Sequence, residues 1–253
     1  MPDRVLPPLT EPQRERYARQ IGAGVLSEAG QRRLVGSKVL VTRAGGMGGP
    51  AALMLAMAGV GQILLAHGGE LTTADLNRQV LGDEALVGRP RAEAFADTIR
   101  RKNRFVTVTA IDHEPDDAEA EALARSVDLI VSAPPTFEER LRLNRAAAVA
   151  GVPLIDAAQW GLAGTLMVLR PGQTACLACV YPAVPPFEEH FPVVGAISQA
   201  VGSLAALEAI KILSGTGQPA WGRLITYDGV TARFADVRLR RRPDCPVCGP
   251  GGG

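Results

Sequence analysis

Short apolar runs alternate with longer segments of interleaved apolar and charged positions over the first two-thirds of the chain. SKVLVT (37–42) is rich in branched apolar residues, the pattern of a strand buried on both faces. It leads through RAGGMGG (43–49) into the apolar stretch PAALMLAMAG (50–59), and QILLAH (62–67) follows. Strand, glycine-rich turn, helix and strand make one βαβ unit. The alternation continues with a helix over 88–103, strand FVTVTAI (105–111), an acidic helix PDDAEAEALARS (115–126), strand VDLIVSA (127–133), a helix over 137–150 and strand VPLIDA (152–157). Residues 11–36, ahead of the first strand, read as helical. This order predicts an α/β fold, a Rossmann-like, mostly parallel sheet with helices on both faces. After Gly161 the pattern changes. TLMVLR, RLITYD and ARFADVRL read as strands joined by turns, with one long helix near 195–214, so the sheet is expected to gain antiparallel strands. The expected organisation is a helical arm (1–36), a Rossmann-like nucleotide-binding half (37–161), an antiparallel extension (162–249) and a disordered tail (250–253).

Composition narrows the class. The chain has 253 residues, 47% of them hydrophobic, enough for one substantial core. A net charge of +1 gives no support to nucleic-acid binding. Apolar stretches are interrupted by glycine or charge well short of the roughly 20 residues of a membrane span. The opening MPDRVLPPLTEPQRER lacks the apolar core of a signal peptide. A cytoplasmic protein without membrane or nucleic-acid partners is expected. Cysteines in that reducing compartment are more often metal ligands or catalytic groups than disulfides.

All four cysteines fall in two C-x-x-C pairs, Cys176 with Cys179 and Cys245 with Cys248. A two-residue gap lets two thiolates from one tight turn face a single metal, and two such turns complete a tetrahedral shell. Pro and Gly in PDCPVCG permit the second turn. The pairs are too far apart for a small zinc finger, so a structural zinc here would close a long loop and tie the end of the chain to its middle. A redox pair or two unrelated turns are the alternatives. A redox pair leaves the other two cysteines unexplained.

Gly45, Gly46 and Gly48 stand where a nucleotide-binding turn needs close backbone approach to a phosphate at a helix start. The same glycines also serve a tight turn that only packs helix on sheet, and Arg43 stands in place of the first glycine of G-x-G-x-x-G. The wider pattern is more specific. RYARQI (16–21), the glycine turn followed by AGVG (58–61), LNRQVL (76–81), VGRPRAEA (87–94), the two cysteine pairs and GSLAALEAIKIL (202–213) occur in an order that resembles the ThiF/MoeB/HesA family, bacterial relatives of ubiquitin-activating enzymes. The resemblance runs from about Arg16 to Gly249. It implies MgATP binding in the first half of the sheet and adenylation of the C-terminal glycine of a small ubiquitin-like or sulfur-carrier protein, with cations and Mg²⁺ stabilising the charge at the α-phosphate. It also implies a dimer in which Arg19 reaches the partner's site. Arg78 is then the arginine of the same subunit, and Asn77 and Arg91 line the nucleotide. Without that context Arg19 and Arg78 read as solvated surface charge.

The departures from the family pattern gather at the ATP site. Arg43 replaces a glycine, and its side chain is expected near the phosphates. The second strand ends in Ala66-His67-Gly68-Gly69 with no carboxylate for a ribose, Glu70 being the nearest. Asp75 replaces an asparagine, and Arg91 replaces a lysine with the same charge and a different shape. Pro135 falls where the family has its Mg²⁺-binding aspartate, and it has no ligand atom. Glu138 and Glu139 are expected to point elsewhere from the following helix. Asp156, at the carboxyl edge of the sheet, is the best substitute ligand, against a structural cap or turn role. The region 180–194 contains no cysteine, so no thiol nucleophile is expected there. His67 faces the crevice at a strand end, His190 reads as a solvated loop residue, and His113 has no evident partner. Arg238, Arg240, Arg241 and Arg242 form a basic run that reads as a solvated strand edge or as a dock for an acidic carrier.

Three functional readings follow. The first is a non-catalytic family member that pairs with an active homologue. The second is an active ATP-dependent adenylyltransferase with a rebuilt site. The third is a binder of another nucleotide or metabolite. The missing carboxylates weigh against ordinary ATP–Mg²⁺ chemistry and favour the first.

Overall fold

The computed structural model describes residues 6–22, 25–186 and 192–249. The expected tail 250–253 and His190 lie outside the described residues. The helical stretch before the first strand is two helices, α1 (Glu11–Ile21) and α2 (Glu28–Val35). Thr10 and Gln13 form a reciprocal capping box at the start of α1. Gly22 ends α1 in an extended conformation, and the Ser27 side chain accepts from Gly30 N to start α2, so local capping divides what the apolar pattern joined.

The strands are β1 (Lys38–Thr42), β2 (Gln62–Ala66), β3 (Thr107–Ile111), β4 (Leu129–Ser132), β5 (Leu154–Trp160), β6 (Ala163–Leu169), β7 (Arg223–Asp228) and β8 (Arg233–Arg238). They form one eight-stranded sheet in the order β3-β2-β1-β4-β5-β6-β7-β8. β1 to β5 are parallel, and β6, β7 and β8 continue the sheet antiparallel. The expected antiparallel extension is therefore present. Its first strand turns back on β5 through Gly161, at φ +55°, and Leu162.

Helices α3 (Gly48–Ala58), α4 (Arg91–Lys102) and α8 (Gly195–Ser214) cover one face with α2, and α5 (Asp117–Arg125) and α6 (Phe137–Ala150) cover the other. The single turn α7 (Leu177–Val180) follows Cys176. The period-2 alternation of the strands divides the core: Val39, Val41, Ile63, Leu65, Leu129 and Val131 face α3 and α8, while Leu40, Leu64, Ile130 and Leu154 face α5 and α6. Leu40, Leu34, Ile63 and Leu129 are fully buried, each worth about 1.5–3 kcal/mol of transfer free energy. α8 lies against α3 and β5. Gly202 permits this, because a Cβ there would overlap the Met47 carbonyl oxygen. By length and composition alone α8 is apolar enough to cross a membrane, yet half of it is buried in this core.

Candidate nucleotide crevice and metal centre

In this strand order the direction of winding reverses between β1 and β4, which opens a crevice at the carboxyl ends of those strands, the usual ligand position in open α/β sheets. A cavity of about 420 Å³ lies there, lined by Gly45, Gly46, Arg43, His67, Arg78 and Pro135 and by the aromatic Phe137, Trp160 and Tyr181, among others. Gly48 must be glycine for the turn to close, since a Cβ would lie 2.5 Å from the Arg43 carbonyl oxygen. The three predicted turn glycines thus stand at the start of α3 beside the crevice.

Arg43 adopts φ +52°, a left-handed conformation that suits the glycine it replaces. Its side chain lines the cavity and is held by two carboxylates: Nη1 lies 2.6 Å from Glu114 Oε1, and Nε donates to both carboxylate oxygens of Glu139 at 3.0 and 3.2 Å. Glu139 was expected to point away. The Thr136 cap instead starts α6 so that its first buried face carries Glu139 and Arg140 towards the sheet end. Burial pushes the Glu139 carboxyl up, and Arg43 opposes that shift. Glu114, unmarked in the sequence reading, also accepts from Gly68 N at 2.9 Å, so a carboxylate does reach the end of β2, from the loop after β3. Glu70 is exposed and pairs only through a backbone bridge to Pro90.

Asp75 organises the other cations. It is 4% exposed and accepts from Arg91 Nη2 at 2.8 Å, Arg78 Nη2 at 3.2 Å, Gln79 Nε2 at 2.6 Å and Thr72. Burial raises its pKa, but the bonds from Arg91 and Thr72 outweigh burial and hold the carboxyl below its ordinary value. Arg91 also donates to the Gly68 carbonyl, and Arg78 to Ala74 O and Asn77 Oδ1. Asn77 is exposed, and Gln199 of α8 donates to the Arg78 carbonyl. Arg78 and Arg91 are therefore joined through Asp75, Asn77 is bonded to Arg78, and Arg78 lines the cavity with Gly45 and Gly46. Arg19 does not join them: it is exposed on the last turn of α1.

His67 is buried, and among the described residues its Nδ1 and the nearby Gln79 Oε1 have no hydrogen-bond partner. Burial, with Arg91 and Arg43 beside it, lowers the His67 pKa to about 3, so the imidazole is neutral at pH 7. Asp156 does not serve as a crevice ligand. It is 1% exposed and sealed by Arg140 Nη1 at 2.9 Å and Ser132 Oγ at 3.0 Å, the structural alternative. Arg140 also donates to the Ala157 carbonyl. His113 pairs on the surface with Glu119 and Asp112.

The four cysteine sulfurs lie within 4.8 Å of one another, all four residues buried and none in a disulfide. The Cys176–Cys245 and Cys179–Cys248 sulfurs are 3.6 and 3.4 Å apart. Four sulfurs about 2.3 Å from one zinc stand about 3.8 Å apart, so the set fits a tetrahedral metal and is far too open for an S–S bond of about 2.05 Å. The Arg242 backbone N–H donates to Cys179 Sγ at 3.4 Å. In the adjoining basic run, Arg241 donates to the Gly172 carbonyl and Arg242 pairs with Asp244.

The ThiF family profile matches residues 17–247, nearly the whole chain. The chain belongs to the ThiF family. Among family relatives, the heterocyst HesA protein of Trichormus variabilis is 40% identical over 242 residues, covering 95% of this chain and 91% of that protein. The molybdopterin-synthase adenylyltransferase of Escherichia coli K12 is 34% identical over 254 residues, covering 95% of this chain and 98% of that one. The crystal structure of E. coli MccB with MccA-N7isoASN superposes with a TM-score of 0.82 at 22% identity, over 92% of this chain and 75% of that chain, a likeness of fold. The ThiF-type sheet and the cysteine cluster are thus as the sequence resemblance implied.

Proposed function

We propose that this protein is a non-catalytic ThiF-family subunit that supports activation of a small ubiquitin-like or sulfur-carrier protein in the cytoplasm, as a homodimer or paired with an active homologue. The observation that carries this reading is Arg43: it stands at the first glycine position of the phosphate turn, and its guanidinium bridges Glu114 and Glu139 across the switch-point crevice. Triphosphate binding favours an excess of positive charge. Here Arg43, Arg78, Arg91 and Arg140 are matched by Glu114, Glu139, Asp75 and Asp156, so the formal charges around the crevice cancel. Pro135 supplies no Mg²⁺ ligand, and Asp156 is consumed by Arg140. Losing a single such transition-state group costs about 10²–10³ in rate, so several losses together weigh against catalysis.

Other features support a binding role. α8 is mostly apolar, and Leu207 on it and Met57 on α3 are exposed, apolar surface that a second chain would cover. The exposed Arg19 is then available to a partner's crevice, where it would act as the trans arginine. A structural zinc on Cys176, Cys179, Cys245 and Cys248 would hold the antiparallel extension in shape whether or not chemistry occurs. ATP–pyrophosphate exchange by the pure protein with candidate carriers tests the proposal. No exchange is expected, together with loss of the partner's activity on Arg19→Ala. Exchange above background overturns it.

One observation favours an active adenylyltransferase as the second reading. Arg78, Gly45 and Gly46 line one crevice, and Arg43 holds the Glu139 carboxylate, so a swing of Arg43 would free an acidic group to hold Mg²⁺. Mg²⁺-dependent heat on titrating the wild-type protein with millimolar ATP would favour this reading.

A further inference from the structure

α6 buries Glu139, Arg140, Leu143, Asn144 and Ala147 at helical spacing, so one face of one helix runs from the crevice to the cysteine cluster. Asn144 is fully buried. Its Oδ1 accepts from Leu177 N at 2.9 Å, the amide that directly follows Cys176 and opens α7. Its Nδ2 has no hydrogen-bond partner among the described residues, an expensive position for a buried amide. That bond sets the Asn144 amide beside Cys176, and Nδ2 is the buried polar atom left unsatisfied there.

We propose that Asn144 is the outer-shell positioning residue of the metal centre, its Oδ1 fixing the Cys176–Cys179 turn and its Nδ2 donating to the Cys176 thiolate. This rests on the reading of the four cysteines as a zinc site. Four thiolates around one Zn²⁺ leave an excess of negative charge in a buried pocket, and N–H donors to sulfur offset it. The Arg242 amide does this for Cys179, and Asn144 does it for Cys176. A side-chain amide suits the task because it offers an acceptor and a donor from one planar group. An aspartate keeps the bond to Leu177 and turns the other oxygen, an acceptor, towards the sulfur.

The test compares metal affinity of the full chain and N144D by competition with a chromophoric chelator, using Zn²⁺ and Co²⁺. N144D is expected to stay folded and bind about 10–100-fold more weakly, with a shifted thiolate-to-Co²⁺ charge-transfer band. Affinity within twofold of wild type in a folded N144D overturns the proposal. Should N144D fail to fold, the wild type loaded with ¹¹³Cd²⁺ decides: scalar coupling between the metal and an Asn144 side-chain amide proton is expected, and an ordered Asn144 amide without it overturns the assignment. A wild-type protein that binds neither metal removes the zinc reading as well. Metal bound equally by wild type and N144D removes only the role of Asn144.

Discussion

The Nε of Arg43 lies 3.0 Å from Glu139 Oε2, joining the first residue of the glycine-rich turn to the first turn of α6 across the crevice. A glycine at this position would leave that space open and accept the left-handed φ without cost. The Arg43→Gly variant is therefore expected to gain affinity for MgATP, at least about tenfold above wild type by calorimetry, a difference of about 1.4 kcal/mol. The variant leaves the Glu139 and Glu114 carboxylates without their guanidinium, and the Mg²⁺ carried by the nucleotide offsets their charge. Pyrophosphate exchange is expected to stay absent, since Pro135 still offers no ligand. A variant that binds ATP no better than wild type shows that Arg43 does not close the site.

Asp156 and Arg140 make the most deeply buried ion pair described, with side chains 1% and 7% exposed. Removing one partner strands the other charge in the interior, which costs about 3–5 kcal/mol. Asp156→Ala is thus expected to lower the unfolding free energy by that amount in urea, while Asp156→Asn, which still accepts from Arg140, loses less. Equal stability of Asp156→Ala and wild type would remove the structural role assigned to the pair.

The parallel strands were legible because they are short branched-apolar runs between glycines and helical segments, and the metal cluster because thiolate pairs carry their geometry in their spacing. The helix break near Gly22 was not, because the apolar pattern on either side keeps its period and only the Ser27 cap marks the restart. Glu139 was expected to point away, and Asp156 stood between a ligand and a structural role, for one reason. Sequence tells which element a carboxylate sits on, not which arginine its three-dimensional neighbours supply. Arg140 took Asp156, and Arg43 took Glu139 and Glu114. The spacing of Glu139, Arg140 and Asn144 on α6 was a signal that all three share one buried face, and it becomes readable once Leu143 and Ala147 mark that face as the core side.

Metal removal is expected to act unevenly. The cysteine cluster joins α7, between β6 and α8, to the segment after β8, whereas β1 to β5 have their own core between α3, α8, α5 and α6. Chelation should therefore strip hydrogen-exchange protection from residues 174–180 and 239–249 first and leave β1 to β5 protected. The melting temperature is expected to fall on the order of 10 °C, as metal-binding free energy is lost from the folded state. Uniform loss of protection across the sheet would show instead that the centre holds the whole fold.

His67 makes stability depend on pH in a window where few other groups do. Its folded-state pKa of about 3 lies below the ordinary 6.5, because burial and then Arg91 and Arg43 disfavour the imidazolium, with Asp75 opposing and Arg78 adding to the effect. The unfolded chain takes up a proton below pH 6.5 that the folded one refuses until about pH 3. The stabilisation is thus complete above pH 6.5 and is lost as pH falls, by about 2 kcal/mol between pH 7 and pH 5. Asp75 is held below its usual value, so its own loss falls below pH 3.8, outside this window. Glu139 and His113 are shifted upward, with the opposite sign, but they contribute equally to wild type and to a His67 variant. His67→Gln keeps a polar side chain and cannot protonate. Urea unfolding at pH 7 and pH 5 should give a smaller drop for His67→Gln than for wild type, by about 2 kcal/mol. Identical drops would mean that the folded protein admits the proton, and that the crevice is wetter and less positive around His67 than its buried, arginine-flanked position implies.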